Sequence, residues 1–167
     1  MRVAVFVDGA NYFYMQKKMG WHIDAEKLLN YCRQQYGDVV DAYYYTGTEV
    51  PPDEQQQAYL EVLSGLGYAL VTKPVKTIRG GENGEIKQKA NLDVEIVLDL
   101  FNTIDQYDVA VLVSGDGDFE RALQLLKARG KQIKVISTAG TVAREIKILC
   151  GMHYVDFRDI REQVERC

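Results

Sequence analysis

The sequence predicts an α/β protein with a largely parallel sheet of five to six strands and helices on both faces. Two observations carry that expectation. Strand-like and helix-like segments alternate along the chain, the pattern of successive strand–helix units. Two of the strand segments, "RVAVFVD" (2–8) and "DVAVLVS" (108–114), are almost continuously apolar, as strands covered on both faces must be. A length of 167 residues with 47% hydrophobic and 26% charged residues suits one domain over 1–167 with a sizeable core.

Taken in order, the first strand at 2–8 ends in an aspartate and leads to a helical pattern over 11–19, followed by a second over 24–36. "VVDAYYYTG" (39–47) is the second strand, the pattern over 53–65 a helix, and "YALVT" (68–72) the third strand. Helical periodicity returns over 91–104, before the strand at 108–114. The helix over 118–129, the strand "KQIKVIST" (131–138) and the helix over 140–149 follow, and "HYVDF" (153–157) is a candidate sixth strand. Right-handed crossovers then place helices on both faces.

One segment departs from this rhythm. "KPVKTIRGGENGEIKQK" (73–89) carries Lys73, Lys76, Arg79, Lys87 and Lys89 against Glu82 and Glu85, with Gly80, Gly81 and Gly84 among them. It reads as a basic loop or hairpin in a chain of formal net charge −4. That charge argues against a general nucleic-acid coat protein, which is usually basic. It leaves open an enzyme whose carboxylates bind metal, because a bound cation reverses the local sign. Cys32, Cys150 and Cys167 form no CxxC pair and are odd in number, so reduced thiols and a cytoplasmic location are expected. The apolar run that opens the chain is short, and no stretch is long enough to span a membrane.

The functional signal is a set of carboxylates at strand ends. In open α/β sheets, ligands gather beyond the carboxyl ends of the strands, where the strand order reverses. The strand at 108–114 leads into "SGDGDF", with Asp116 and Asp118 separated by one glycine. The first strand delivers Asp8 to the same edge, with Asn11 three residues on; the second ends in "YTGT" with Thr46. Asp93 lies early in the helix opened by "KANLDVEIVLDL". Each has a bland alternative: Asp118 fits a helix N-cap, and Asp8 a turn with Gly9. Four carboxylates in one cleft are tolerable when they hold a hard cation such as Mg2+ or Mn2+. Gly9, Gly115 and Gly117 fit places where a substrate backbone or an unusual dihedral angle needs room.

"VFVDGANYF", "KANLDVEIVLDL" and "VLVSGDGDFERAL" together resemble the NYN domains of the PIN-like nuclease superfamily, in particular the LabA-like branch, over nearly the whole chain. The resemblance implies a Rossmann-like domain with a metal-dependent ribonuclease site. Its aspartates fall on Asp8, Asp93, Asp116 and Asp118, its asparagine on Asn11, its serine on Ser114, and the lysine before its middle aspartate on Lys89.

On that basis the expected activity is hydrolysis of a phosphodiester, with single-stranded RNA as substrate and Mg2+ or Mn2+ among Asp8, Asp93, Asp116 and Asp118. A metal-activated water removes the need for a histidine base; His22 and His153 lie outside the motifs. Asn11, Ser114 and Thr46 are expected to hold waters or orient carboxylates. Lys73, Lys76, Arg79, Lys87 and Lys89 are candidates for backbone phosphates, and Tyr12, with Tyr14, for stacking on a base. The alternative is a non-catalytic LabA-like regulatory module that binds RNA or a protein partner. A phosphotransfer receiver lacks its expected acids here, since the middle strands end "YYYTG" and "YALVT", and a haloacid-dehalogenase phosphatase lacks its second aspartate, position 10 being alanine. The tyrosines at 43–45 suit an ordinary strand or the face of a homodimer.

Overall fold

Val3 to Val7, the interior of β1 (Arg2–Asp8), are each at most 1% exposed. The strand's two faces feed two separate clusters. Val3, Val5 and Val7 pack with residues of α1 (Gly9–Met19), α2 (Ala25–Gln35), α3 (Glu54–Gly65) and α7 (Arg161–Val164). Ala4 and Phe6 pack with residues of α4 (Asp93–Asn102), α5 (Glu120–Ala128) and α6 (Arg144–Cys150). β6 (Val109–Val113) divides the same way, with Val109, Val111 and Val113 on one side and Ala110 and Leu112 on the other. This two-sided burial explains the near-continuous apolar runs. The computed structural model describes residues 1–51, 53–80, 85–89 and 91–167, with the backbone alone for 76–80 and 85–89.

The remaining strands of the main sheet are β2 (Asp38–Thr48), β3 (Ala69–Pro74), β7 (Gln132–Ser137) and β8 (Tyr154–Asp156). Six strands run in the order β3-β2-β1-β6-β7-β8, and every neighbouring pair is parallel. The expected α/β architecture is therefore present, with "HYVDF" contributing the sixth strand. From β1 the chain steps outward through β2 to β3, then returns to the other side of β1 for β6, β7 and β8. The order reverses between β1 and β6, so the crevice above their carboxyl ends is the switch point of the sheet.

The segment after β3 forms a hairpin of β4 (Lys76–Gly80) and β5 (Glu85–Lys89), an antiparallel pair outside the main sheet. Among the described residues no helix is long and apolar enough to cross a membrane.

Three details differ from or add to the sequence reading. α1 begins at Gly9 rather than residue 11, because Asp8 leaves the strand and caps it, its carboxylate accepting from the Asn11 N–H. α6 begins only at Arg144; residues 138–143 form turns at the end of β7. The tyrosine run is interior: Tyr44 and Tyr45 are 6% and 1% exposed, Tyr43 stacks on Phe6 at 5.2 Å, and Tyr45 Oη donates to Asp99 Oδ2 at 2.8 Å. The run thus forms part of an ordinary strand, one of the two readings the sequence allowed.

Candidate metal centre

β1 places Asp8 by simple alternation. Position 8 follows Ala4 and Phe6 onto the face covered by α4, whose first residue is Asp93. β6 ends one strand away, and the turn after it supplies Asp116 and Asp118. Asp8, Asp93 and Asp116 line a single cleft of about 450 Å3, together with Asn11, Tyr14 and Thr46. Asp93, Asp116 and Asp118 each bring a carboxylate oxygen within 4.8 Å of the others. Asp93 and Asp116 are half-buried and Asp118 is exposed.

Neutral groups hold this arrangement. Ser114, 1% exposed, donates from Oγ to Asp8 Oδ2 at 2.9 Å and accepts the Asp116 N–H at 3.2 Å. One hydroxyl thus fixes two of the carboxylate-bearing residues. Asn11 Oδ1 accepts the Gly115 N–H at 3.0 Å, tying the first turn of α1 to the loop after β6. Asp116 Oδ1 accepts the Asp118 N–H at 2.9 Å and caps the short 3-10 turn Gly117–Phe119. Capping here therefore falls to Asp116 and not to Asp118: α5 begins behind Phe119 without a side-chain cap, which leaves the Asp118 carboxylate uncommitted to a helix end.

The glycines serve the protein's own packing. A Cβ on Gly9 would collide with the Tyr45 carbonyl, and one on Gly115 would lie 2.6 Å from Ser137 Oγ and 2.7 Å from the Thr141 carbonyl. Neither glycine has positive φ. The expected need for room beside the aspartates is met by chain-to-chain contact, not by unusual dihedrals.

The electrostatics are those of carboxylates that crowd one another. The Asp93 carboxyl is pushed up to about 7, first by burial and then by the charges of Asp116, Asp8 and Asp118. Asp8 is also raised by burial, against the lowering effect of the Ser114 hydrogen bond. The three ion pairs among the described residues, Arg2–Asp108, Lys73–Glu95 and Arg161–Glu165, lie elsewhere. Among the described residues no lysine or arginine pairs with these carboxylates, and carboxylate oxygens gathered in this way suit a hard divalent cation, so the donor set fits Mg2+ or Mn2+.

Several sequence-predicted residues fall differently. Tyr12 is not available to a base. It is 1% exposed, its hydroxyl donates to the Ile23 carbonyl at 3.3 Å and its ring meets Tyr44 edge-on at 5.9 Å. Its place in the helix turns it into the core; Tyr14, 53% exposed, is the tyrosine that lines the cleft. Lys73 is engaged with Glu95 of α4 at 2.8 Å rather than standing alone. The side chains of Lys76, Arg79, Lys87 and Lys89 lie outside the described residues. Thr46 lines the cleft, but its hydroxyl donates to the adjacent Gly47 carbonyl at 3.2 Å. Asn91 was missed: it lines the cleft and its Oδ1 accepts the Asp93 N–H at 2.8 Å. An asparagine two residues before a helical aspartate was the available signal.

A parallel sheet with acidic side chains at its switch point defines a class that the comparisons identify. The NYN domain family matches residues 2–165, and the chain belongs to that family, on a PIN-like nuclease fold. Within it the chain is LabA-like: the low amplitude and bright protein LabA of Synechococcus elongatus is 46% identical over 167 residues, covering 99% of this chain and 88% of that protein. A crystal structure of a protein of unknown function from Vibrio parahaemolyticus has the same fold, with a TM-score of 0.77 and 24% identity over 99% of this chain and 96% of that one.

Proposed function

We propose that the protein is a metal-dependent ribonuclease that hydrolyses phosphodiester bonds of single-stranded RNA at Asp8, Asp93, Asp116 and Asp118. The observation that carries this reading is the approach of the Asp93, Asp116 and Asp118 oxygens within 4.8 Å, with Asp93 and Asp116 sharing a cleft with Asp8. A scaffold gains nothing from repulsion held at that distance, whereas a cation site requires it.

In this reading the four carboxylates hold Mg2+ or Mn2+. When bound, the cation lowers the pKa of a coordinated water and neutralises charge developing on the phosphoryl and leaving oxygens. The protein's own groups set the geometry. Ser114 keeps Asp8 and Asp116 in register through one hydroxyl, and Asn11 holds the turn after β6 by its carbonyl oxygen, leaving its NH2 for a phosphate oxygen or a water. Asn91 fixes the start of α4 and so the height of Asp93. Neither histidine lines the cleft, so water activation falls to the carboxylates and the metal. The basic hairpin, with Lys76, Arg79, Lys87 and Lys89, is the proposed contact for phosphates flanking the cleavage point. Its second strand leads into α4 at Asp93.

The test is cleavage of an end-labelled panel of single-stranded RNAs with Mn2+ or Mg2+, with EDTA, and with folded Asp116→Asn protein. Cleavage that requires metal and disappears in the variant supports the reading. No cleavage, or equal cleavage by the variant, overturns it and moves the weight to an RNA- or protein-binding regulator.

A further inference from the structure

A second cavity, also about 450 Å3, lies along α1 outside the acidic cleft, between that helix, α3 and the end of the chain. Its lining is of the opposite character. Phe13, Trp21, Tyr44 and Tyr59 supply four aromatic rings, Lys17 and Arg166 two cations, and among the described residues no carboxylate lines it. Trp21 and Tyr44 are 7% and 6% exposed while Phe13 is 62% exposed, so rings line the cavity at both depth and rim.

The cavity is a built structure. α1 ends at Gly20 in a left-handed conformation (φ 82°), which turns the chain and brings Trp21 and His22 back beside the helix. The segment that carries Arg166 is pinned there: the Arg166 N–H donates to the His22 carbonyl at 2.9 Å, and Ile23 bridges Glu165 in antiparallel fashion. The Lys17 ammonium lies 5.7 Å from the centre of the Phe13 ring, so the rim joins a π-face and a charge.

The two cavities share α1. Asn11 and Tyr14 line the acidic cleft; Phe13 and Lys17 line the second cavity. Tyr14 and Phe13 are consecutive, both exposed, and each has a lysine over its ring, with Lys18 6.0 Å from Tyr14. Exposed rings at consecutive positions of α1 thus belong to the two cavities, Tyr14 to the first and Phe13 to the second.

We propose that this second cavity binds a nucleotide, the base among the rings and the phosphate on Lys17 and Arg166. Rings stack on any base, and the cations select an anion. The source of the nucleotide is the RNA strand as it leaves the acidic cleft. That choice of source rests on the nuclease reading above; the nucleotide chemistry of the cavity does not. Trp21 is the protein's single tryptophan and so reports occupancy directly.

The experiment uses the full chain in EDTA, which prevents turnover. Trp21 fluorescence and anisotropy of a labelled single-stranded oligoribonucleotide of about eight nucleotides are followed for the parent, Phe13→Ala, Arg166→Gln and Arg166→Lys, each checked by thermal melting. Adenosine 5′-monophosphate and oligoglutamate are titrated in parallel. The expected result is quenching of Trp21 by the oligonucleotide and at least about fivefold weaker binding by Phe13→Ala and Arg166→Gln. Arg166→Lys should keep most of the affinity. Binding of the mononucleotide alone, lost in the same variants while oligonucleotide affinity holds, assigns the site to a free nucleotide instead. Unchanged affinity for both in folded variants overturns the proposal, as does equal quenching by oligoglutamate. If no metal supports cleavage but the Trp21 response depends on Phe13 and Arg166, the nuclease reading fails and the nucleotide site stands.

Discussion

Two cavities of equal volume flank one helix and differ in almost every chemical respect. The cleft at the first turn of α1 is lined by Asp8, Asp93 and Asp116 and has no cation among its described lining residues. The cavity at its last turn has rings, Lys17 and Arg166, and no acid among its described lining residues. The difference is made within a dozen residues, since α1 contributes Asn11 to the first and Lys17 to the second. It follows the helix itself, whose N-terminal turn grows from Asp8 and whose last turn carries Lys17 and Lys18, where basic side chains complement the helix dipole. A phosphate between the two cavities would meet a metal site on one side and fixed cations on the other.

The largest expected effect breaks the acidic side alone. Asp116→Asn should lower metal-dependent cleavage at least about 100-fold and abolish the stabilisation conferred by Mn2+. In the parent that stabilisation should reach about 2.7 kcal/mol at 100 times the dissociation constant, read by thermal melting. The Trp21 response to an oligonucleotide in EDTA should survive the change. Ser114→Ala comes next, since its hydroxyl orients both Asp8 and Asp116 without belonging to the ligand set. Mn2+ affinity measured calorimetrically should fall about 10- to 100-fold with the fold intact, and a variant that binds Mn2+ like the parent would refute the orienting role.

A third test uses pH. The Asp93 carboxyl is raised to about 7 by burial and by the carboxylates around it, so the metal-free cluster holds a proton that it gives up as pH rises through that region. Its folded value exceeds its unfolded one, so the fold binds more protons between about 4 and 7, and this group's contribution to stability declines as pH rises through that window. Metal reverses the preference by favouring the carboxylate. Mn2+ affinity should therefore rise about tenfold from about pH 6 to about pH 8, a dependence that Asp93→Asn removes. The smallest effect is expected at the rim. Lys73→Met breaks an exposed pair with Glu95 and should cost no more than about 1 kcal/mol in urea unfolding, with cleavage changed little.

Much of this was legible because it follows from alternation. The runs at 2–8 and 108–114 announced buried strands, and a buried strand that ends in aspartate must deliver it to the sheet's edge. Asp93 was legible only as an interruption in an apolar helix; that it stands over Asp8 depends on the crossover from the hairpin, which no local pattern encodes. Tyr12 was misplaced for a different reason. Read as a neighbour of Asp8 it suggests a stacking ring, but with Met15 and Met19 it forms the helical stripe that packs on β1 and β2, leaving Phe13 and Tyr14 outside. The glycines at 9 and 115 were read as space for a ligand because the backbone that fills that space, Tyr45 and residues 137–142, is distant in sequence. The second cavity was invisible for the same reason: Arg166 reaches it from the far end of the chain.

The hairpin of β4 and β5 pairs only within itself, while the six other strands form one ladder. An element joined to the rest by two chain connections, and by no shared strand, is free to change length or composition without disturbing the sheet that positions the carboxylates. Its outgoing arm nonetheless leads straight to Asp93. In the proposed nuclease, selectivity and reactivity would then be separable parts of one scaffold. Relatives that trade the hairpin should acquire new targets and keep the same chemistry.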